Sequence, residues 1–247
     1  MNKEKVDSII LGSLLGDGHI EAPRGNNKYP SLGFTQNSLN EKEYINRKFN
    51  IISKYYKTNN IRKGHNNTLR FSISSKEREL ISNLVNITRY NDNTRKLPSI
   101  DFIDPIVLLY WYIDDGSLSV GYQKRPDSRK PSISRRLKIT LSSYRDKDIE
   151  ILVKEINSKF NLNFKCLREN GKIKNIGIKN FLHIIDFLNL LRPFYYLIPI
   201  ENQYKFCICY TPTRYFHDIN LYSKYNICNF HNENICKCRN KNLTMIK

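Results

Sequence analysis

Two acids in the 247-residue chain stand in matching local settings. Asp17 closes the apolar run "IILGSLLGDG", and Asp115 closes "IVLLYWYIDDG"; each is followed directly by glycine. A carboxylate set among apolar neighbours is costly unless something uses it. Two such groups brought close repel, and at neutral pH they either share a proton or hold a cation. With all-oxygen ligands and a polyanionic partner, that cation is Mg²⁺, with Mn²⁺ as its substitute. A metal so held can stabilise both the attacking water and the leaving oxygen of a phosphodiester. Helix C-termini add backbone carbonyls, so Gly16 and Asp114, one residue before each acid, are candidates to lend theirs. A lone Asp-Gly is an ordinary helix stop. Two in register within a repeat call for another reason.

For the acids to meet, their helices must pack along a common axis. Gly12, Ser13 and Gly16 form a narrow stripe with Ile9. Small residues there let a second helix approach closely, which offsets the ~1 kcal/mol that a glycine costs inside a helix. The aligned positions of the second run are Tyr110, Trp111 and Asp114, so the expected packing is small against large.

The segments downstream of each acid also repeat. After Asp17 come an extended stretch (28–37), a helical one (40–56) with Tyr44, Phe49, Ile52 and Tyr56 near helical spacing, a strictly alternating strand (66–74) and another helix (75–90). After Asp115 come an alternating strand (135–143), a helix (144–160), a hairpin (163–179) turning at Asn170–Gly171, and a helix (180–194). Asp17 precedes Pro98 by 81 residues and Asp115 precedes Pro199 by 84, so the units are nearly equal in length. The matching order and length imply internal duplication, with halves at 1–100 and 101–210 and a tail at 211–247.

Composition narrows the partner. Forty-one Lys and Arg against 23 Asp and Glu give a formal charge of +18, which favours an extended polyanion. No apolar run approaches the ~20 residues a membrane helix needs, and no basic amphipathic helix suggests a membrane surface. Alanine occurs once, at Ala22, while Asn, Lys, Ile and Tyr abound; these residues are written with A/T-rich codons, as in an organellar and especially a mitochondrial genome. Five of six cysteines fall between 207 and 238. Zinc would need Cys207, Cys209, Cys228, His231, Cys236 and Cys238, but both close pairs are C-x-C, tighter than structural zinc sites use, so free thiols are expected.

"LGSLLGDG" and "LLYWYIDDG" resemble the two signature motifs of the LAGLIDADG homing endonucleases in their single-chain, two-motif form, over roughly residues 5–206. The resemblance implies an α/β (α+β) fold of two αββαββα halves related by a pseudo-twofold axis. The motif helices form the interface, and two antiparallel sheets face DNA. It also implies a monomer that hydrolyses both strands of double-stranded DNA with a divalent metal, with Asp17 and Asp115 as ligands. A basic residue before the closing proline is implied in the first half, with Arg95 and Lys96 as alternatives, and Lys205 is its second-half counterpart. Gln36 matches a family position that orders water near the metals, with Ser142 as its second-half equivalent.

The alternating strands put Arg70, Ser72, Arg136, Lys138 and Thr140 on the face that would meet DNA. The stretch 121–136 is expected to be a loop clamping phosphates through Lys124, Arg125, Arg129 and Lys130. Because the halves differ, the target should be non-palindromic. The tail reads either as a disordered basic arm on flanking DNA or as read-through from an open frame inside an intron. The leading function is cleavage of an intron-insertion site. The alternatives are a maturase that binds host intron RNA and a nucleic-acid-binding regulator without catalysis; retention of both acids favours the nuclease.

Overall fold

The computed structural model describes residues 1–23, 29–37, 41–123 and 132–206. The first half runs α1 (Lys3–Leu15), β1 (His19–Glu21), β2 (Ser31–Asn37), α2 (Lys42–Ile52), β3 (Arg62–Lys63), β4 (Thr68–Ile73) and α3 (Arg78–Thr88). The second repeats that order with α4 (Pro105–Asp115), β5 (Gly116–Gln123), β6 (Ser132–Thr140), α5 (Asp146–Phe160), β7 (Lys165–Glu169), β8 (Lys172–Ile178) and α6 (Phe181–Leu191). Two 3₁₀ segments come after α6, Arg192–Leu197 and Ile200–Phe206. Each half holds one antiparallel four-stranded sheet, ordered β1-β2-β4-β3 and β5-β6-β8-β7. The matching strand orders are the duplication made visible.

Both motif helices begin on a side-chain cap. Asn2 accepts from the Lys5 N–H, and Asp104 accepts from the N–H groups of Ile106 and Val107, with Pro105 in the first turn. Every residue of α4 from Ile106 to Ile113 is buried, as is α1 from Ile9 to Leu15. Helices apolar on all sides belong in a core, and these two pack on each other. A Cβ on Gly12 would lie 2.5 Å from the Val107 carbonyl oxygen and 2.9 Å from the Tyr110 Cβ. One on Gly16 would overlap the Asp114 Cβ. The stripe of small residues is therefore the contact surface, as its spacing implies.

The sheets follow the alternation. Leu32 and Phe34 of β2 and Phe71 and Ile73 of β4 are buried beneath α2, with Phe34 and Phe71 stacked at 4.9 Å. Leu137 and Ile139 of β6 and Ile173, Ile176 and Ile178 of β8 do the same in the second half. The β7–β8 turn uses Asn170 and Gly171 at φ 51° and 80°, the left-handed pair that a tight hairpin requires. Cross-half contacts close the unit: Ser8 Oγ donates to Asp104 Oδ2 (2.5 Å), Tyr90 donates to Asp148 (2.7 Å), and Arg47 donates to the Tyr196 and Leu197 carbonyls.

The structure corrects the sequence reading in three places. Strands β1 and β3 carry no alternation of their own; they are only three and two residues long and exist through their pairing with β2 and β4. The stretch 121–136 is not all loop: Gln123 pairs with Ser132 and Gly121 with Ser134, so both strands run into it. Its basic residues Lys124, Arg125, Arg129 and Lys130 lie outside the described residues, as do the tail from 207 on and its five cysteines. Finally, the motif helices end differently. α4 includes Asp115, whereas α1 stops at Leu15, and Asp17 sits in a turn closed by Gly18 N–H on the Ser13 carbonyl (2.7 Å). Glycines on both sides of Asp17 release the helix a residue or two early. Among the described residues no helix is long and apolar enough to cross a membrane.

The Gly12 contact generates a stability prediction. Gly12→Ala should gain helix propensity yet destabilise by about 1–3 kcal/mol, because the clash is with backbone that cannot rotate away. Thermal unfolding followed by circular dichroism should show a lower Tm; an unchanged or higher Tm would mean the helices are not this close.

Candidate active site

Asp17 lies just past the end of α1 and Asp115 ends α4, near enough for the charge of Asp17 to act on Asp115. Burial among the helix ends is the main cause that lifts both acids above the ordinary carboxylate range. Asp17 is raised to about 6, with the Asp114 charge adding to burial while Lys48 and a hydrogen bond from Gln36 oppose it. Asp115 is raised to about 7, pushed further by Asp17 and Asp114 and opposed by Arg95 and Lys205. Each acid is thus strained by its neighbours as an anion, the condition in which a cation binds with profit.

The two basic candidates are distinguished by geometry. Arg95 Nη2 donates to the Leu14 carbonyl (2.7 Å) and more weakly to Leu15 (3.3 Å), and its guanidinium lies over the Tyr144 ring at 4.9 Å. Lys205 Nζ donates to the Ile113 and Gly116 carbonyls, and the Tyr112 hydroxyl holds the Lys205 backbone carbonyl at 2.8 Å. Leu15 and Ile113 each stand two residues before the motif acid. Arg95 and Lys205 are therefore repeat-related cations on the exposed carbonyl ends of the two motif helices, where the helix dipole favours positive charge. Lys96 instead points its Nζ over Tyr90, 5.9 Å from the ring centroid.

Asp114 is the residue whose part the sequence left open. Its side chain is 0% exposed and paired with Lys48, itself 1% exposed, at 2.9 and 3.0 Å from the two carboxylate oxygens. The Tyr44 hydroxyl donates to Oδ1 at 2.8 Å, and Gln36 Nε2 donates to the same oxygen at 3.2 Å. Gln36 also donates to Asp17 Oδ2 at 3.1 Å, so it bridges the two carboxylates directly. The Tyr44 hydroxyl is held far above its usual range by burial and by Asp114. The spacing of α2 offered Tyr44, Phe49, Ile52 and Tyr56 as its inner face, but Lys48 takes a core position beside Tyr44, Ile45 and Ile52. A lysine on an amphipathic helix reads as surface; only the carboxylate arriving from the other half makes its burial tolerable.

Strand register also revises the partner of Gln36. His19 pairs with Gly33, and its motif equivalent Ser117 pairs with Lys138. Three residues beyond Gly33 lies Gln36, and three beyond Lys138 lies Leu141. Leu141 is buried and Ser142 exposed, so the expected equivalence with Ser142 is off by one residue, which in a strand means the opposite face.

Among the described residues no three His, Cys, Asp or Glu side chains form a metal cage. The candidate donors are instead the Asp17 and Asp115 carboxylates, with the backbone carbonyls of Gly16, which caps α1, and Asp114, in the last turn of α4. A sparse oxygen set of this kind suits Mg²⁺ or Mn²⁺, which keep water and take phosphate oxygens as further ligands.

On the sheet surfaces Arg70, Arg136 and Thr140 are exposed, Ser72 and Lys138 half-buried. Ser72 accepts from Asn59 Nδ2 (2.8 Å), and Thr140 contacts Asn175 (3.3 Å). Arg62 stands directly across from Arg70, and with Asn59, Asn60, Ser72 and Glu21 they line one polar depression. Sequence reasoning passed over Asn59, Asn60 and Arg62. Their signal was the polar, basic run "NNIRKGHNN", which has no period and reads as loop.

Comparison with known proteins places this geometry in context. Residues 7–181 match the LAGLIDADG DNA endonuclease family. A relative from Wickerhamomyces canadensis, described as probable intron-encoded endonuclease 1, is 26% identical over 209 residues, spanning 81% of this chain and 82% of that protein. The structure of the homing endonuclease I-WcaI bound to its DNA recognition sequence superposes with a TM-score of 0.61 at 23% identity, over 82% of this chain and 86% of that one. The meganuclease I-CpaMI bound to uncleaved DNA does so with a TM-score of 0.59 at 14% identity, over 96% and 99%.

The raised acids give a pH prediction. Between about pH 4, where the unfolded carboxylates ionise, and pH 6–7, where Asp17 and Asp115 ionise in the folded chain, the folded state binds more protons. Metal-free stability therefore falls as pH rises through that window. Asp115→Asn should raise the Tm at pH 8 in EDTA by roughly 2–4 °C and leave it unchanged near pH 3.5. An equal effect at both pH values would show that the charge is not the cause.

Proposed function

The chain belongs to the LAGLIDADG DNA endonuclease family, and on that premise we propose that it is a monomeric, metal-dependent homing endonuclease. Its target is a long, non-palindromic intron-insertion site in double-stranded DNA, and its gene is an organellar, specifically mitochondrial, intron. The observation that carries this reading is the convergence of Asp17 and Asp115 at the paired helix ends. An acid pair held at such cost has no structural use that a neutral residue would not serve better.

Asp17 and Asp115, with the carbonyls of Gly16 and Asp114, would hold the divalent cation, Mg²⁺ or Mn²⁺. When bound, the cation supplies positive charge to the attacking and leaving oxygens of the phosphodiester. Arg95 and Lys205 stand at the same helix ends and offer positive charge to the scissile phosphates or their attacking waters. Gln36 fixes the orientation of the Asp17 carboxylate. The exposed polar faces of the sheets serve recognition: Arg70, Arg136 and Lys138 for phosphates and purine edges, Ser72 and Thr140 for shorter-range contacts. The unit halves 1–100 and 101–210 would each read one half-site. Nothing favours the maturase alternative: the W. canadensis relative is described as an endonuclease, and RNA chaperoning has no need of the strained acid pair.

Cleavage of the intronless insertion-site duplex tests this. The native chain with Mg²⁺ should produce a double-strand break, while Asp17→Asn and Asp115→Asn should each lose about 10²-fold or more in rate and still bind the duplex. Intact duplex with the native chain, together with Mg²⁺-independent binding of the host intron RNA, would replace the nuclease with the maturase.

A further inference from the structure

The polar network around Asp114 has no counterpart across the pseudo-twofold axis. Motif alignment sets Asp114 against Gly16, and strand register sets Gln36 against Leu141. Thr35 pairs with Arg70, and its equivalent Thr140 pairs with Asn175. The same register offset thus holds on both sides of α2 and α5, with equal connecting lengths. Within the helices the buried positions Ile45, Lys48 and Ile52 of α2 align with Ile149, Leu152 and Ile156 of α5. Lys48 thus matches buried Leu152, and Tyr44 matches Asp148, which accepts from Tyr90 instead. One half carries a carboxylate, a lysine and a glutamine where the other carries a glycine and two leucines.

The network is also closed on itself. Asp114 Oδ1 accepts from Lys48, Tyr44 and Gln36, and Oδ2 accepts from Lys48. Lys48 Nζ further lies 4.1 Å from the centre of the Tyr44 ring. A carboxylate so engaged and fully enclosed is not a side-chain ligand for anything in the groove. Its one route outward is Gln36, whose amide nitrogen touches both Asp114 and Asp17. Gly16 permits this arrangement, since any side chain there would occupy the place of the Asp114 Cβ.

We infer that Lys48 and Asp114 are a positioning pair for Asp17, acting through Gln36, and that this one-sided support makes the two half-sites cut their strands at unequal rates. Asp17 is held by a hydrogen-bonded chain through Gln36, whereas among the described residues Asp115 faces the charges of Arg95 and Lys205 without such a brace. The inference rests on the nuclease reading above and concerns how that site is tuned.

The test compares the native chain with Lys48→Met/Asp114→Leu, which replaces the pair by apolar groups of similar size, and with Gln36→Leu, which installs the second half's residue and leaves the pair intact. Two measurements are made: Mn²⁺ affinity by electron paramagnetic resonance on the protein bound to its duplex, and strand-resolved nicking of end-labelled duplex. Replacing a buried ion pair by apolar groups commonly leaves stability unchanged or raised, so the double variant should fold. Both variants should lose about 10–100-fold in Mn²⁺ affinity at one site and slow one strand more than the other, shifting the native strand ratio. Folded variants with native Mn²⁺ affinity and native strand ratio would overturn the inference and leave the pair a packing feature. If the double variant does not fold, Gln36→Leu decides alone by the same readings. A native chain that neither binds Mn²⁺ nor nicks would defeat the nuclease reading instead.

Discussion

Everything in this molecule hangs on how closely α1 approaches α4. Gly12 lies against the backbone of Val107 and Gly16 against the Cβ of Asp114, so the helices meet without side chains between them on that line. The approach fixes where each helix ends, and the helix ends fix where Asp17 and Asp115 stand. It also brings the Asp114 carboxylate across the axis into the core of the opposite half. A longer interhelical distance would separate the acids and strand Asp114 away from Lys48.

That closeness creates an electrostatic problem, which the surroundings answer in two ways. Three carboxylates crowd one region, and burial drives both exposed-edge acids upward in pKa. Asp114 is neutralised internally by an ion pair and two neutral donors, at the expense of a lysine removed from water. Asp17 is left only partly compensated by Lys48 and Gln36, and Asp115 by Arg95 and Lys205. The distinction between a satisfied and an unsatisfied carboxylate separates scaffold from candidate site. Ion pairs of the first kind lend little net stability but make removal of one partner costly, about 3–5 kcal/mol.

Much was legible in the sequence because it depends on periods and repeats. The two acids, the small-residue stripe, the alternating strands, the Asn170–Gly171 turn and the pairing of halves are all local patterns or echoes of them. The short strands β1 and β3 were not, since two or three residues carry no period; they form because a neighbour offers unpaired backbone groups. The choice between Arg95 and Lys96 was equally hidden. Adjacent residues point in different directions, and which one faces the α1 carbonyls depends on the path of the chain before Pro98.

The sequence by itself determined the repeated order of elements, the central helices and where each motif acid falls, because hydrophobic spacing and glycine placement act over a turn or two of chain. Tertiary structure alone decided what Asp114, Lys48, Tyr44 and Gln36 do. Their partners lie 66 to 78 residues away from Asp114 in sequence and are brought within hydrogen-bond distance only when the halves close. Hydrogen bonds and ion pairs act over about 3 Å, and no one-dimensional pattern records which groups will come that near.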